Sequence, residues 1–360
     1  MHTPLMQRLG LAHPIIQAPM AGSSTVAMAA AASNAGALGS LALGAANAAQ
    51  AREALAQLHA LTEKPYNVNF FCHQPAVLDN ARDRAWLAHL QPLLAEFGGS
   101  IAAPLKEIYQ SFNTDTAMQQ VVLEHPPAVV SFHFGLPPSQ VIASLRQAGV
   151  WLMATATNLD EARQIEAAGL DAIIAQGIEA GGHRGIFDQY RDEQIGTFDL
   201  LRLLVPQCRL PVIAAGGIMD GQGIATALQL GAQAVQMGTA FLLARESNAN
   251  APYRALLKSP RAQHTRVTAA ISGRPARGIV NRFIEEIDTP TAPPIPAYPA
   301  AYDAGKQLHA LAAARDVHEF GAHWAGQGAA LIRDGFTTGE LIHLLAREWQ
   351  QAQASQAQPG

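Results

Sequence analysis

One histidine in this chain stands among glycines. Residues 172–185 read Ala-Ile-Ile-Ala-Gln-Gly-Ile-Glu-Ala-Gly-Gly-His-Arg-Gly, so His183 has Gly181, Gly182 and Gly185 as neighbours. Imidazole takes or gives a proton near neutral pH. Glycine lets backbone come close to a ligand because no Cβ intervenes. The apolar run 172–175 before it has the character of a buried strand. A strand that ends in such a loop is what a catalytic corner requires. A flexible strand-to-helix turn with an incidental surface histidine would show the same letters.

Other candidates share this position, just after an apolar run. They are Met20, Ala21 and Gly22, Asn69, His133, Gln176, Gly216 and Gly217, and Gly238 and Thr239. Amide side chains donate and accept at once, which suits the mixed edge of a flavin ring. Taken singly, Asn69 and Gln176 could equally satisfy neighbouring backbone. The glycines at 216–217 and 238, with the Thr239 hydroxyl, suit a phosphate, which free N–H groups and a helix N-terminus attract. His133 lies between Phe132 and Phe134 and faces opposite to them in a strand, toward either a barrel mouth or the outer helices. Tyr298, Tyr302 and Lys306 are spaced to share one face of a helix, with Pro299 suited to its first turn. With Tyr109 they could line a pocket for a small anion, or simply pack the helix onto its neighbours.

These residues need a scaffold that brings strand ends together. Short apolar runs occur at 14–22, 37–43, 66–71, 128–135, 151–155, 172–176, 211–217 and 234–239. Helical patterns lie between them, and a helix–glycine–strand junction recurs at Gly36, Gly149, Gly169 and Gly231. Ser23 or Ser24 is the expected cap of the first of these helices, and Asn158 with Glu161 forms a capping pattern. Eight strands alternating with helices predict an α/β fold, a (β/α)8 TIM barrel, whose functional groups sit at the C-terminal ends of the strands. A doubly wound sheet is the alternative, but no G-x-G-x-x-G follows the first strand. Residues 177–184 approach P-loop spacing but carry His-Arg in place of Lys-Ser/Thr, which excludes a nucleotide triphosphatase.

The predicted barrel comprises 1–71 and 127–249. Segments 72–126 and 250–310 break the rhythm and are expected to form a mostly helical second domain covering the substrate. Residues 289–299 are too rich in proline for a helix or central strand. Helices within 311–351 are expected to pack on the barrel, and the polar tail 352–360 to be disordered.

Composition narrows the class. The chain has 360 residues, is 49% hydrophobic and 14% charged, and carries a formal net charge of -4. That is enough apolar material for a large core. It has no basic run of the kind nucleic acid requires, no secretory apolar segment at the N-terminus, and no stretch of about 18 apolar residues to span a membrane. Cys72 and Cys208 make neither a disulfide framework nor a metal motif. A cytoplasmic setting is expected, without nucleic acid, membrane or metal, and a homodimer is left open.

Four motifs occur in order. Pro14-Ile-Ile-Gln-Ala-Pro-Met-Ala-Gly22, Gln176-Gly-x-Glu-Ala-Gly-Gly-His183, Ala214-Ala-Gly-Gly-Ile218 and Gln236-Met-Gly-Thr239 resemble nitronate monooxygenase, formerly 2-nitropropane dioxygenase. Gly-Gly-His followed by Arg-Gly is similar to the class I bacterial enzymes. The resemblance implies a barrel holding FMN through Met20, Ala21, Gly22, Asn69, Gln176, Gly181, Gly182, Gly217, Gln236, Met237, Gly238 and Thr239. It implies His183 as catalytic base and His133, Tyr109, Tyr298, Tyr302 and Lys306 as the substrate pocket. The implied reaction is detoxifying oxidation of an anionic nitronate, such as propionate 3-nitronate, by O2 to a carbonyl compound and oxidised nitrogen. An FMN-dependent NAD(P)H:quinone or enoyl-ACP reductase of the same superfamily is the rival enzyme, and a non-catalytic flavin-binding sensor the rival of another kind.

Overall fold

The computed structural model describes residues 2–77 and 79–356. Its strands are β1 (Ile15–Gln17), β2 (Gly39–Ala42), β3 (Tyr66–Phe71), β4 (Val129–His133), β5 (Trp151–Ala156), β6 (Ala172–Gln176), β7 (Gly182–His183), β8 (Val212–Ala215), β9 (Ala234–Met237), β10 (Thr265–Thr268) and β11 (Ala276–Ile279). Eight of them form one parallel sheet in the order β1-β9-β8-β6-β5-β4-β3-β2. Leu38, just before β2, exchanges backbone hydrogen bonds with Ile15 and Gln17 of β1 and so joins the two edges. The result is the expected (β/α)8 barrel.

The helices are α1 (Pro4–Leu9), α2 (Val26–Asn34), α3 (Ala48–Leu61), α4 (Asn80–Glu96), α5 (Thr116–Glu124), α6 (Ser139–Gln147), α7 (Leu159–Ala167), α8 (Thr197–Leu204), α9 (Gly221–Gln229), α10 (Ala251–Leu257), α11 (Arg282–Glu286), α12 (Ala300–Ala313) and α13 (Thr338–Gln356). Thr25, not Ser23 or Ser24, caps α2 by accepting from the Met28 N–H. Ser24 Oγ instead accepts from the Met20 N–H at 2.8 Å, which holds the loop after β1 in shape.

Strand parity sorts the side chains. Ile16, Val129, Met153, Ile174 and Ile213 point inward and meet Leu5, Met6 and Leu9 of α1, which plug the N-terminal end of the barrel. Their neighbours Val130, Phe132, Leu152, Ala154, Ile173 and Val212 point outward to the helix layer. Two residues further along, the inward position reaches the mouth. It is polar in β4, β5 and β6, with Ser131, Thr155 and Gln176, and small just after β1 and in β8, with Ala18 and Ala215.

The segment 72–126, expected to lie wholly in a second domain, is divided. Trp86, Leu90 and Leu94 of α4 join a separate core with Phe283, Ala304, Leu308 and Phe320. Met118, Val121 and Val122 of α5 pack in the helix layer of the barrel. The tail also differs from expectation: α13 continues through residues 352–356, while 357–360 fall outside the described residues. Leu341, Ile342, Leu345 and Trp349 of that helix are buried in the barrel's outer core, and this apolar face carries the helix onward. Besides its helices, the region beyond the barrel holds an antiparallel sheet, β10-β11-β7, that the sequence pattern did not reveal.

Candidate active site

A cavity of about 490 Å³ opens at the C-terminal mouth of the barrel. That lies within the usual range for a small-molecule site. Every residue named above as a cofactor or substrate contact lines it, from Met20 to Lys306. Its floor is the polar layer at the strand ends. Asn69, Gln176 and Gln236, all named above, stand there with Ser131 and Thr155, two further residues that strand parity could have identified.

Each floor residue is oriented by its neighbours. Asn69 Nδ2 donates to Ser131 Oγ at 2.9 Å and to the Ser131 carbonyl at 3.2 Å, so its Oδ1 is left as an acceptor. Gln176 Oε1 accepts from the Gly185 N–H at 2.7 Å and Arg184 Nη1 at 3.1 Å. Its Nε2 donates to the His183 carbonyl at 3.0 Å, which leaves one N–H for a ligand. Gln236 Oε1 is buried without a protein partner. Acceptors and a donor lining one cavity suit a ring with a mixed hydrogen-bonding edge.

The wall after β8 and β9 offers backbone. Among the described residues, the N–H groups of Gly217, Ile218 and Gly238 have no protein acceptor. The expected helix N-terminus is not available beside them. Asp220 caps α9 by accepting from the Gly223 N–H at 2.8 Å, and Glu348 Oε2 accepts from the Gly221 N–H at 3.1 Å. Beyond β9 there is only a three-residue 3-10 turn, Thr239–Phe241. An anion here would be held by loop amides.

His183 is not on a free loop. It forms β7 and pairs with Ala276 of β11. Gly182 before it has φ 74°, a left-handed conformation that favours glycine. At Gly181 a Cβ would stand 2.4 Å from the Gly326 nitrogen, so only glycine admits the loop 321–328. That loop, Gly321-Ala-His-Trp-Ala-Gly-Gln-Gly328, brings Trp324 to the cavity. Its density of glycine was the one signal in the sequence that pointed to it.

Aromatic rings surround the imidazole. Trp324 lies 5.3 Å away between centroids, Phe134 5.5 Å and Tyr298 5.6 Å. The Tyr298 hydroxyl is buried with no partner. Tyr302 accepts from Trp324 Nε1 at 3.3 Å, which leaves its own hydrogen free. Lys306 Nζ sits 4.8 Å from the Tyr109 ring and 5.3 Å from that of Tyr302. His133 faces the mouth, but protein partners occupy both its nitrogens: Nε2 meets the His183 carbonyl at 3.1 Å and Nδ1 meets Thr155 Oγ1 at 3.0 Å.

Burial holds the histidines neutral. His183 opens onto the cavity yet lies deep, and its pKa is pushed down to about 3 by burial, then by His133, Arg274 and His73. His133 is brought to about 4, again chiefly by burial. Arg274, missed in the sequence, is buried over the Phe134 ring at 4.4 Å and donates to the Ile186 carbonyl. Burial raises Tyr109 and Tyr302 to about 12, so both remain hydrogen-bond donors. Lys306 lines the cavity and neither Asp nor Glu does, so the charge of the lining favours an anion over a cation.

Fold and site together define a barrel enzyme with a ligand cavity at its C-terminal face. The nitronate monooxygenase family model matches residues 2–348. A nitronate monooxygenase of Paraburkholderia phytofirmans is 55% identical over 97% of this chain and 95% of its own length. One of Pseudomonas aeruginosa is 53% identical over 94% and 97%. The structure of a nitroalkane oxidase from Streptomyces ansochromogenes superposes with a TM-score of 0.88 at 40% identity, covering 98% of this chain and 99% of that one. FabK from Thermotoga maritima is further away, with a TM-score of 0.76 at 29% identity over 99% and 98%. The chain belongs to the nitronate monooxygenase family.

Proposed function

We propose that this enzyme binds FMN and oxidises small alkyl nitronates with O2, propionate 3-nitronate representing the class. The observation that carries the anionic substrate is the cavity lining, with one lysine, several free phenol hydroxyls and no carboxylate. FMN fits the residues present. The unpaired amides of Gly217, Ile218 and Gly238 would take its phosphate, and Asn69 Oδ1, Gln236 Oε1 and the remaining Gln176 N–H its ring edge. When bound, the flavin supplies the electron transfer between substrate and O2.

The protein's own part is positioning and charge. Tyr298 and Tyr302 donate to the nitronate oxygens, while Lys306 at the rim meets a distal anionic group. The role of His183 depends on the substrate. Beside a neutral nitroalkane its lone pair accepts the proton next to the nitro group. Beside a nitronate no proton has to be removed, and the phenols and Lys306 hold the anion. Burial lowers the basicity of His183 and so weakens it as an acceptor of a carbon-bound proton. A preformed nitronate needs no such transfer, and its turnover is expected to exceed that of the neutral nitroalkane. We place the reaction in the cytoplasm as a detoxification; no described helix is long and apolar enough to cross a membrane.

Oxygen-consumption rates with paired nitroalkane and nitronate test this. His183→Asn should retain FMN and lose neutral-nitroalkane turnover by about 10²-fold or more, with a smaller loss for the nitronate. Unchanged proton abstraction in that variant would remove the base role.

A further inference from the structure

Ser272 lies in the turn between β10 and β11 and is fully buried. Its Oγ has three partners. It donates to the Arg274 carbonyl at 3.0 Å, receives the Arg274 N–H at 3.3 Å, and stands 2.9 Å from His183 Nε2. A hydroxyl has one hydrogen. The Arg274 carbonyl can only accept, whereas Nε2 donates or accepts according to the tautomer. With the hydroxyl hydrogen on the carbonyl, Oγ meets the imidazole with a lone pair, Nε2 carries the ring hydrogen, and all three contacts are satisfied.

We propose that Ser272 is a positioning residue that fixes His183 as the Nε2–H tautomer and so presents the Nδ1 lone pair to the substrate. Nδ1 has no protein partner, and the ring lines the cavity. The rest of the residue is held as firmly. The His183 carbonyl accepts from Gln176 at 3.0 Å and His133 at 3.1 Å, and its backbone pairs with β11. The small sheet thus serves the chemistry directly, since β11 orients the histidine backbone and the turn before β11 orients its ring. The reversed arrangement, with the hydroxyl hydrogen toward Nε2, would deprive the Arg274 carbonyl of this donor and place the ring hydrogen on Nδ1, where it blocks proton acceptance.

The consequence for turnover rests on the proposed role of His183, but the tautomer can be read separately. The FMN-loaded full chain is labelled with 15N-histidine, and the imidazole nitrogen shifts are recorded near pH 7.5. His183 is assigned by the signal lost in His183→Asn. Wild type should show Nε2–H, Ser272→Ala should shift toward a tautomer mixture, and Ser272→Thr should restore the wild-type pattern. Neutral-nitroalkane kcat should fall about 10²-fold in Ser272→Ala, at least about tenfold more than nitronate kcat. An Nδ1–H signal in wild type, or unchanged shifts in Ser272→Ala, overturns the proposal. If the tautomer moves while nitroalkane turnover does not, Ser272 keeps its positioning role and the base role of His183 falls. If Ser272→Ala does not fold, the wild-type signal and Ser272→Thr decide the matter.

Discussion

A histidine can act in this cavity because its surroundings use up every other option. Its carbonyl, its Nε2 and the nitrogens of His133 are committed to protein partners, and Nδ1 is left. Burial keeps the ring uncharged well below neutral pH. Nitronate turnover is therefore expected to stay level between about pH 6 and 9, because burial holds His183 and His133 neutral across that range. Neutral-nitroalkane turnover should rise with pH as the substrate itself ionises. A nitronate profile with a sharp break near pH 6.5 would show that His183 is not held neutral. Tyr298 offers a second residue-scale test, since its hydroxyl is buried without a partner. Tyr298→Phe should raise nitronate KM by about tenfold, the value of roughly one hydrogen bond to a charged group, while leaving the protein's melting temperature nearly unchanged. Much of this layer was legible in the sequence. Asn69, Gln176 and Gln236 are polar residues at the ends of apolar strands. Ser272 and Arg274 were not legible, because their relation to His183 is made by a turn about ninety residues away in the chain.

The element that decides the geometry is the two-residue strand β7. Nothing in a dipeptide of Gly-His announces a strand, and its partner β11 has no alternating pattern to betray it. Its register is set by tertiary contacts. Arg184, directly after His183, is completely buried, pairs with Asp192 at 2.8 Å and donates to the carbonyls of Gln176 and Gly177. Removing one member of a buried pair leaves an uncompensated charge. Arg184→Met should destabilise the fold by about 3 kcal/mol, measured by urea unfolding, and reduce FMN occupancy. Wild-type stability in that variant would mean the pair contributes nothing net. The barrel strands themselves were readable from apolar runs and intervening helices. The division of 72–126 was not, because α4 and α5 are both amphipathic and only their neighbours determine which core each enters.

At the scale of the whole molecule, two cores meet across one cavity. The barrel provides the amide-lined floor, and the second core, with α12 and the loop 321–328, provides the aromatic roof. His73, His133, His183 and His323 are all buried at this junction, with pKa values lowered to about 3 or 4 chiefly by burial. The unfolded chain binds protons at these residues first as pH falls below about 6.5. The stability they contribute is full above that pH and is lost as pH falls toward 4. The melting temperature should therefore drop steeply between pH 6.5 and 4.5, and a flat profile would contradict the burial of these rings. What the cavity oxidises can be read from the flavin itself. Purified, FMN-loaded enzyme is mixed without oxygen with propionate 3-nitronate or with NAD(P)H, and the visible absorbance of the flavin is followed. Rapid loss of the oxidised-flavin bands is expected with the nitronate and none with NAD(P)H. Bleaching by NAD(P)H with no response to the nitronate would contradict nitronate oxidation as the activity of this cavity.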